Sequence, residues 1–361
     1  MHLQNTLFFA VIFVIAVGCS RVSSEYGILV AHTSEKYLEA GVPVCYLNGQ
    51  GDTIVPYGKY NFCQTDTIRN IGFVYENGQN GRIVCIDNKG KKLFYVFKYD
   101  NGPDYIREGL FRIMDENGLI GFADSLGNVA IKPQFKFATP FEDGKSQMAT
   151  NGEEDSDREF CFWKSDEWQL IDHNGNRIMR YSGIRSGTDS LKGLQIDIFN
   201  AQEKVVQEIS YSYPPDIEFA NNLNVRIDLQ DVNFDGKDDI LINLGRYGNQ
   251  MVQYYDCYMW NEKQYCKDES FKQIESPQIN RRRQCVFSLS RVSAASYCYK
   301  RFEFIDGRFV NVAILTQIFK SSEQPPLFTE KQYVEGRGMV TLHENVVEDE
   351  ISSDWVSIIL K

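Results

Sequence analysis

Short β-type runs broken by Asn/Asp-x-x-Gly turns recur through the first half of this chain, and no long helical period interrupts them. The turns close at Gly51 after Asn48, at Gly90 after Asp87, at Gly127 after Asp124 and at Gly175 after Asp172. From about Gln195 the runs lengthen and alternate. Asn224–Leu229 and Ile240–Leu244 read as strands, Gly245–Asn249 as a turn, and Phe302–Val310 as a hairpin bent at Asp306-Gly307. The expected fold is all-β, with an N-terminal array of short β repeats followed by an antiparallel β domain. The length of 361 residues leaves room for two such bodies.

The second body carries the most specific chemistry. Asp231-Val232-Asn233-Phe234-Asp235-Gly236-Lys237-Asp238-Asp239 spaces oxygen ligands at alternate positions and puts glycine where such a loop must turn sharply. Asp231, Asn233 and Asp235 by their side chains, Lys237 by its carbonyl and Asp239 at the ninth position are the expected calcium ligands. An EF-hand would need glutamate at position twelve and flanking helices. Ile242 stands there instead, and the run Ile240-Leu241-Ile242 makes the loop feed a strand. A site of this kind binds at about 10⁻⁴ M and adds only about 1.4 kcal/mol of stability at ~1 mM calcium, so the ion is expected to be a staple. The competing reading is a metal-free Asp-Gly turn.

Three resemblances follow from these residues. The Asp-x-Asn-x-Asp-Gly-x-x-Asp loop resembles those of FG-GAP-type β proteins. Residues 108–144 resemble a WG (KWG) repeat of Bacteroidetes-like lipoproteins, through Gly118-Leu119-Ile120-Gly121-Phe122, Ile131-Lys132-Pro133-Gln134-Phe135 and Phe141-Glu142-Asp143-Gly144. The name-giving Trp-Gly is nowhere intact, and the other copies are degenerate. Residues 224–312 look like periplasmic proteins related to I-type lysozyme inhibitors, through the loop, the aromatic stretch Tyr254–Trp260 and Tyr297-Cys298-Tyr299. That likeness implies a β module that binds a lysozyme or cell-wall hydrolase. It carries over no inhibitory residue.

The N-terminus points to export. Leu7 to Val17 is an apolar run of signal-peptide length, short of the roughly 20 residues a membrane span needs. Ala16-Val17-Gly18-Cys19 looks like a bacterial lipobox, which implies a signal peptide over 1–18, lipidation of Cys19 and a linker over 19–25. Repeats over 26–185 and a calcium-loop domain over 190–361 complete the expected organisation. The resemblance implies anchoring in the outer membrane on its periplasmic side; Ala16 in place of the usual leucine leaves a soluble secreted or periplasmic protein as the alternative.

Of nine cysteines, eight remain after Cys19, an even count that argues for disulfides in an exported chain. Hairpin geometry singles out Cys257 with Cys266 and Cys285 with Cys298, each bridge worth roughly 2–4 kcal/mol. The pairing of Cys45, Cys63, Cys85 and Cys161 stays open. No Cys-x-x-Cys supports zinc.

A net charge of −11 argues against nucleic acid or an anionic lipid surface as partner. Arg281-Arg282-Arg283 is the one basic cluster, expected to be a solvated strand edge, and Asn151–Asp157 is expected to be an acidic surface loop. Neither a nucleophile elbow, nor His-Glu-x-x-His, nor a phosphate loop occurs, so no catalytic or organic-cofactor residue is assigned. A glycan hydrolase with two carboxylates among 49 acidic residues is the residual enzyme class. The expected function is non-enzymatic binding by an envelope lipoprotein, with a lysozyme or muramidase as partner; the alternative is an envelope scaffold with a structural calcium site.

Overall fold

The computed structural model describes residues 27–38, 41–78, 81–157, 160–185, 191–214, 227–247, 252–321, 323–356 and 358–359. The expected signal segment, the linker and Cys19 lie outside these residues, as does the side chain of Cys161. The described chain is antiparallel β-structure with two single-turn 3-10 segments, Phe271–Gln273 and Glu348–Glu350, and no α-helix. The fold is all-β. No helix among the described residues is long and apolar enough to cross a membrane.

One turn is built six times. At Asn48, Asp87, Asp115, Asp124, Asp172 and Asn200 the side-chain Oδ1 accepts the N–H of the second and of the fourth residue onward, at 2.8–3.0 Å. The N–H of the third residue donates to the Asx carbonyl, and the first and fifth residues close the hairpin. That third residue needs a left-handed backbone, with φ between +73° and +88° at Gly51, Gly90, Gly118, Gly127 and Gly175. In the sixth copy Glu203 takes the position at φ +55°. The Asx side chain thus satisfies turn amides that no ladder reaches.

The chain divides into two compact units, one of residues 1–105 with 123–128, the other of 106–122 with 129–361. In the first, Thr53–Val55, Cys45–Leu47, Leu29–His32 and Thr67–Ile68 form one sheet in that order. Phe62–Cys63, Ile71–Tyr75, Ile83–Asp87 and Lys92–Val96 pair successively in another ladder.

The second unit is layered. A six-stranded sheet runs Phe137–Ala138, Ser146–Ala149, Glu167–Ile171, Arg177–Arg185, Leu191–Phe199 and Val205–Ser212. A four-stranded sheet of Ile227–Gln230, Asp239–Tyr247, Val252–Trp260 and Tyr265–Asp268 follows in sequence, then a six-stranded sheet from Gln278–Asn280 to Gly338–Val346. The four-stranded sheet is the middle layer. Its Ile227, Leu229, Ile240, Ile242 and Leu244 pack with Trp168, Tyr181, Leu194 and Ile196 of the preceding sheet. On the opposite face Leu241 and Cys257 pack with Phe271, Val286, Phe302 and Phe309. Phe287, Tyr299, Leu315 and Phe328 are then covered by Ile351, Trp355 and Ile359 of the C-terminal segment. Glu330 fixes that segment by accepting Trp355 Nε1–H and Ser352 N–H, each at 3.0 Å.

Several expectations need correction. Arg177–Arg185 and Leu191–Phe199 pair along their length, so the expected boundary between 185 and 190 falls inside one hairpin of one sheet. The acidic stretch is a strand, Glu153–Asp157, paired with Phe160–Lys164. Gly245–Tyr247 continues the strand from Asp239, after a register shift, where a turn was expected.

Neither expected disulfide forms: Cys257, Cys266, Cys285 and Cys298 are free thiols. The ladder pairs Cys257 with Asp268 and Met259 with Cys266, which puts the first pair on a diagonal of about 7–8 Å, longer than a disulfide spans. Cys298 pairs with Ser290, five residues along the strand from Cys285 and on the other face. Each pair does lie on adjacent strands, but register decides bonding, and residue spacing alone does not fix it. Cys45, Cys63 and Cys85 are also free.

Asp172 tests the turn chemistry. Burial opposes its ionisation, but the donors of Asn176 and Asn174 outweigh burial and hold the carboxyl below its ordinary value of 3.8. The unfolded chain then binds the proton more tightly, so this contribution is complete above about pH 4 and is lost as pH falls through the folded value. Asp172→Ala should cost about 1–2 kcal/mol at pH 7 in denaturant unfolding. Asp172→Asn should retain most of the stability and flatten its acid dependence, because Asn48 and Asn200 build the same turn.

Candidate functional site

The 231–239 loop joins Ile227–Gln230 to Asp239–Tyr247 at one end of the middle layer, as the hairpin of that sheet. Its backbone coils by two left-handed residues, Phe234 at φ +64° and Gly236 at φ +86°. Asp231 organises the coil: Oδ1 accepts Asp235 N–H at 3.1 Å and Oδ2 accepts Gly236 N–H at 3.0 Å. Asn233 Oδ1 accepts Asp235 N–H at 3.2 Å, and Asp235 Oδ1 accepts Lys237 N–H at 2.8 Å. The amide of Asn233 donates to Asp235 Oδ2 at 3.0 Å.

Asp239 plays a different part. It is fully buried, and its two oxygens accept Val232 N–H at 3.1 Å and Trp260 N–H at 3.2 Å. Burial pushes its carboxyl up to about 7; the two N–H donors oppose the rise, and the charges of Asp235 and Asp231 reinforce it. Ionising Asp239 at neutral pH therefore costs folding free energy unless positive charge is supplied nearby.

Neighbouring layers reach this hairpin through charged side chains. Lys145, from the turn Glu142–Lys145, places Nζ 2.5 Å from Asp238 Oδ2. Arg281, beside the strand Gln278–Asn280, holds Asp143 by two bonds of 3.0 and 2.9 Å and lies 3.5 Å from Gln230 Oε1. That guanidinium holds the Asp143 carboxyl below its ordinary range. The Tyr265 hydroxyl donates to the Asp238 carbonyl at 3.1 Å. Tyr265 is clamped in turn by the Gln207 side chain, which donates to its carbonyl at 2.9 Å and accepts its N–H at 2.8 Å. The loop is thus where the three sheets of the second unit are tied together. Two of the three arginines expected to be a solvated edge are ties, since Arg283 pairs with Asp354 as Arg281 does with Asp143.

Asp231, Asn233, Asp235 and Lys237 follow one another through the coil, with Asp239 as its buried anchor. The donors are all hard oxygens, and each carboxylate oxygen that accepts one N–H keeps a further lone pair. Among the described residues, no three acidic, histidine or cysteine side chains gather closely enough to hold a metal by themselves. A calcium ion here therefore needs the Asn233 amide oxygen and the Lys237 carbonyl besides the carboxylates. Lys145, Asp143 and Arg281 had no sequence signal, being 93 and 138 positions from their partners.

No family model matches the chain, and no curated protein matches it. Among solved structures, it is similar to "Structure of a Xanthomonas Type IV Secretion System related protein", with 16% identity, a TM-score of 0.35, and coverage of 56% of this chain and 90% of that one. It is also similar to "Crystal structure of the eukaryotic initiation factor", with 8% identity, a TM-score of 0.24, and coverage of 89% and 97%. At these TM-scores neither likeness carries an argument about what this chain does.

The ties are testable as a pair. Lys145 is only 14% exposed on its side chain, so Lys145→Met should cost more than the 1 kcal/mol or less typical of a surface ion pair. Arg281→Met should cost less, because Arg281 is 55% exposed. A double-mutant cycle by chemical denaturation should show coupling between the two through the 142–145 turn.

Proposed function

We propose that this protein is a non-enzymatic binding protein of the bacterial cell envelope whose second unit is stapled by calcium in the 231–239 loop. The observation that carries this reading is the loop itself. A coil of hard oxygen donors, with a left-handed glycine at its sixth position, sits at the end of a sheet buried on both faces. A cation there offsets the charges of Asp235 and Asp231, which act on the buried Asp239 carboxyl, and it stiffens the point where the three sheets are tied. The binding surface is then β-structure ordered by the ion, and the ion takes no part in chemistry. Lipidation of Cys19 and a periplasmic-facing outer-membrane anchor belong to the same proposal, as does a lysozyme or muramidase as the partner to test first.

Asp235→Ala should abolish calcium-dependent thermal stabilisation of the purified chain while the first unit stays folded. A wild-type response to calcium in that variant would remove this loop as the site. For the partner, titration of the mature chain into assays of several lysozyme classes should lower the activity of one with saturable one-to-one stoichiometry. A flat response across the panel would reject lysozyme inhibition and leave the calcium staple standing.

A further inference from the structure

In the first unit, a nitrogen, an oxygen and a sulfur donor meet on one face of a small sheet. Leu29–His32 pairs with Cys45–Leu47, which sets His32 directly opposite Cys45 and Val30 opposite Leu47. Paired residues share a face, so the Cys45 side chain leaves the sheet on the side where Val30 and His32 are exposed. It is fully buried all the same. The strand Thr53–Val55 runs beside Cys45–Leu47 and continues through Pro56 to Tyr57, whose hydroxyl is hydrogen-bonded to the Cys45 thiol and lies 2.7 Å from His32 Nδ1. The rings of His32 and Tyr57 meet edge to face, with centroids 6.4 Å apart.

Imidazole, thiolate and phenolate are donors that borderline divalent ions accept together. Here two exchangeable protons, on the thiol and the phenol, occupy the space among the three donor atoms. An ion that replaced both would leave a neutral imidazole and two anionic ligands around it, with a fourth position open to water. Tetrahedral bonds of about 2.0 Å require the His32 and Tyr57 donors to separate from 2.7 Å to roughly 3.3 Å. Both side chains are exposed, so this movement meets no core packing. The second thiol nearby is turned away. Cys63 is hydrogen-bonded to Tyr46, which follows Cys45 in the strand and points to the opposite face. No three acidic, histidine or cysteine side chains gather among the described residues, so the tyrosine is what completes this donor set.

We propose that His32 Nδ1, Tyr57 Oη and Cys45 Sγ form a three-ligand site for a thiolate-seeking divalent ion, zinc being the first to try. The site belongs to the first unit and is independent of the calcium loop and of the proposed partner.

The test is titration of the full mature chain, free of any affinity tag and reduced without added thiol, with cobalt(II) as the spectroscopic probe and zinc as competitor, in excess calcium. Cobalt should bind one-to-one and produce a thiolate charge-transfer absorption that zinc abolishes, and the affinity should rise with pH as the two protons are displaced. Cys45→Ser should remove that absorption, whereas Cys63→Ser and Asp235→Ala should leave it unchanged. His32→Gln and Tyr57→Phe should each weaken binding at least about tenfold. If Cys45→Ser does not fold, those two substitutions of exposed residues carry the test. Absence of a thiolate absorption, its survival in Cys45→Ser, or an affinity unmoved by both His32→Gln and Tyr57→Phe would overturn the site and leave the three residues as a hydrogen-bonded cover on the sheet.

Discussion

The second unit depends on a sheet that has no solvent face. Ile240, Leu241 and Ile242 are each 3% exposed or less, with Ile240 and Ile242 turned to one neighbouring layer and Leu241 to the other. Side chains alternate across a strand, so a one-residue slip would exchange the two sets and put every packing contact out of place. Burial on both faces thus fixes register. It also forces each polar group in the sheet to find a partner, as Asp239 does through Val232 and Trp260 and Asn243 through Gly245. Asp256 is the exception, with one oxygen satisfied and one not.

A sheet enclosed in this way meets solvent mainly at its ends and edges, and there the ties between layers are polar. Gln207 closes one edge by imitating a strand partner for Tyr265. At the end that carries the acidic loop, Lys145 and Arg281 bring charge from the two flanking sheets. The partly buried Lys145 pair is held at 2.5 Å, whereas the Arg281 pair is open to water and screening. Nonpolar burial holds the layers together, and these contacts set how the loop is presented.

Local chemistry was legible in the sequence. Five of the six Asx turns announce themselves by glycine, the Asp306-Gly307 hairpin by its dipeptide, and the 231–239 coil by its alternating Asp and Asn residues. The Asn200 turn was hidden because Glu203 adopts the left-handed backbone that glycine would have advertised. Register was not legible, and for that reason the cysteine pairs were misjudged: nothing in the spacing of Cys257 and Cys266 shows that the ladder sets them on a diagonal. Contacts distant in sequence were equally silent. Asp143 and Lys145 looked like the close of a surface repeat, yet Lys145 reaches the acidic loop at Asp238 and Asp143 holds Arg281 of the following sheet.

Hydrogen–deuterium exchange of the purified chain with and without calcium tests the staple most directly, because it reads each layer separately. The account predicts that calcium slows exchange in residues 231–239 and, together with them, in the 142–145 turn and around Arg281. It predicts no change in the hairpins of the first unit. Calcium-insensitive exchange in 231–239, or protection confined to that loop with the neighbouring layers unmoved, would contradict it.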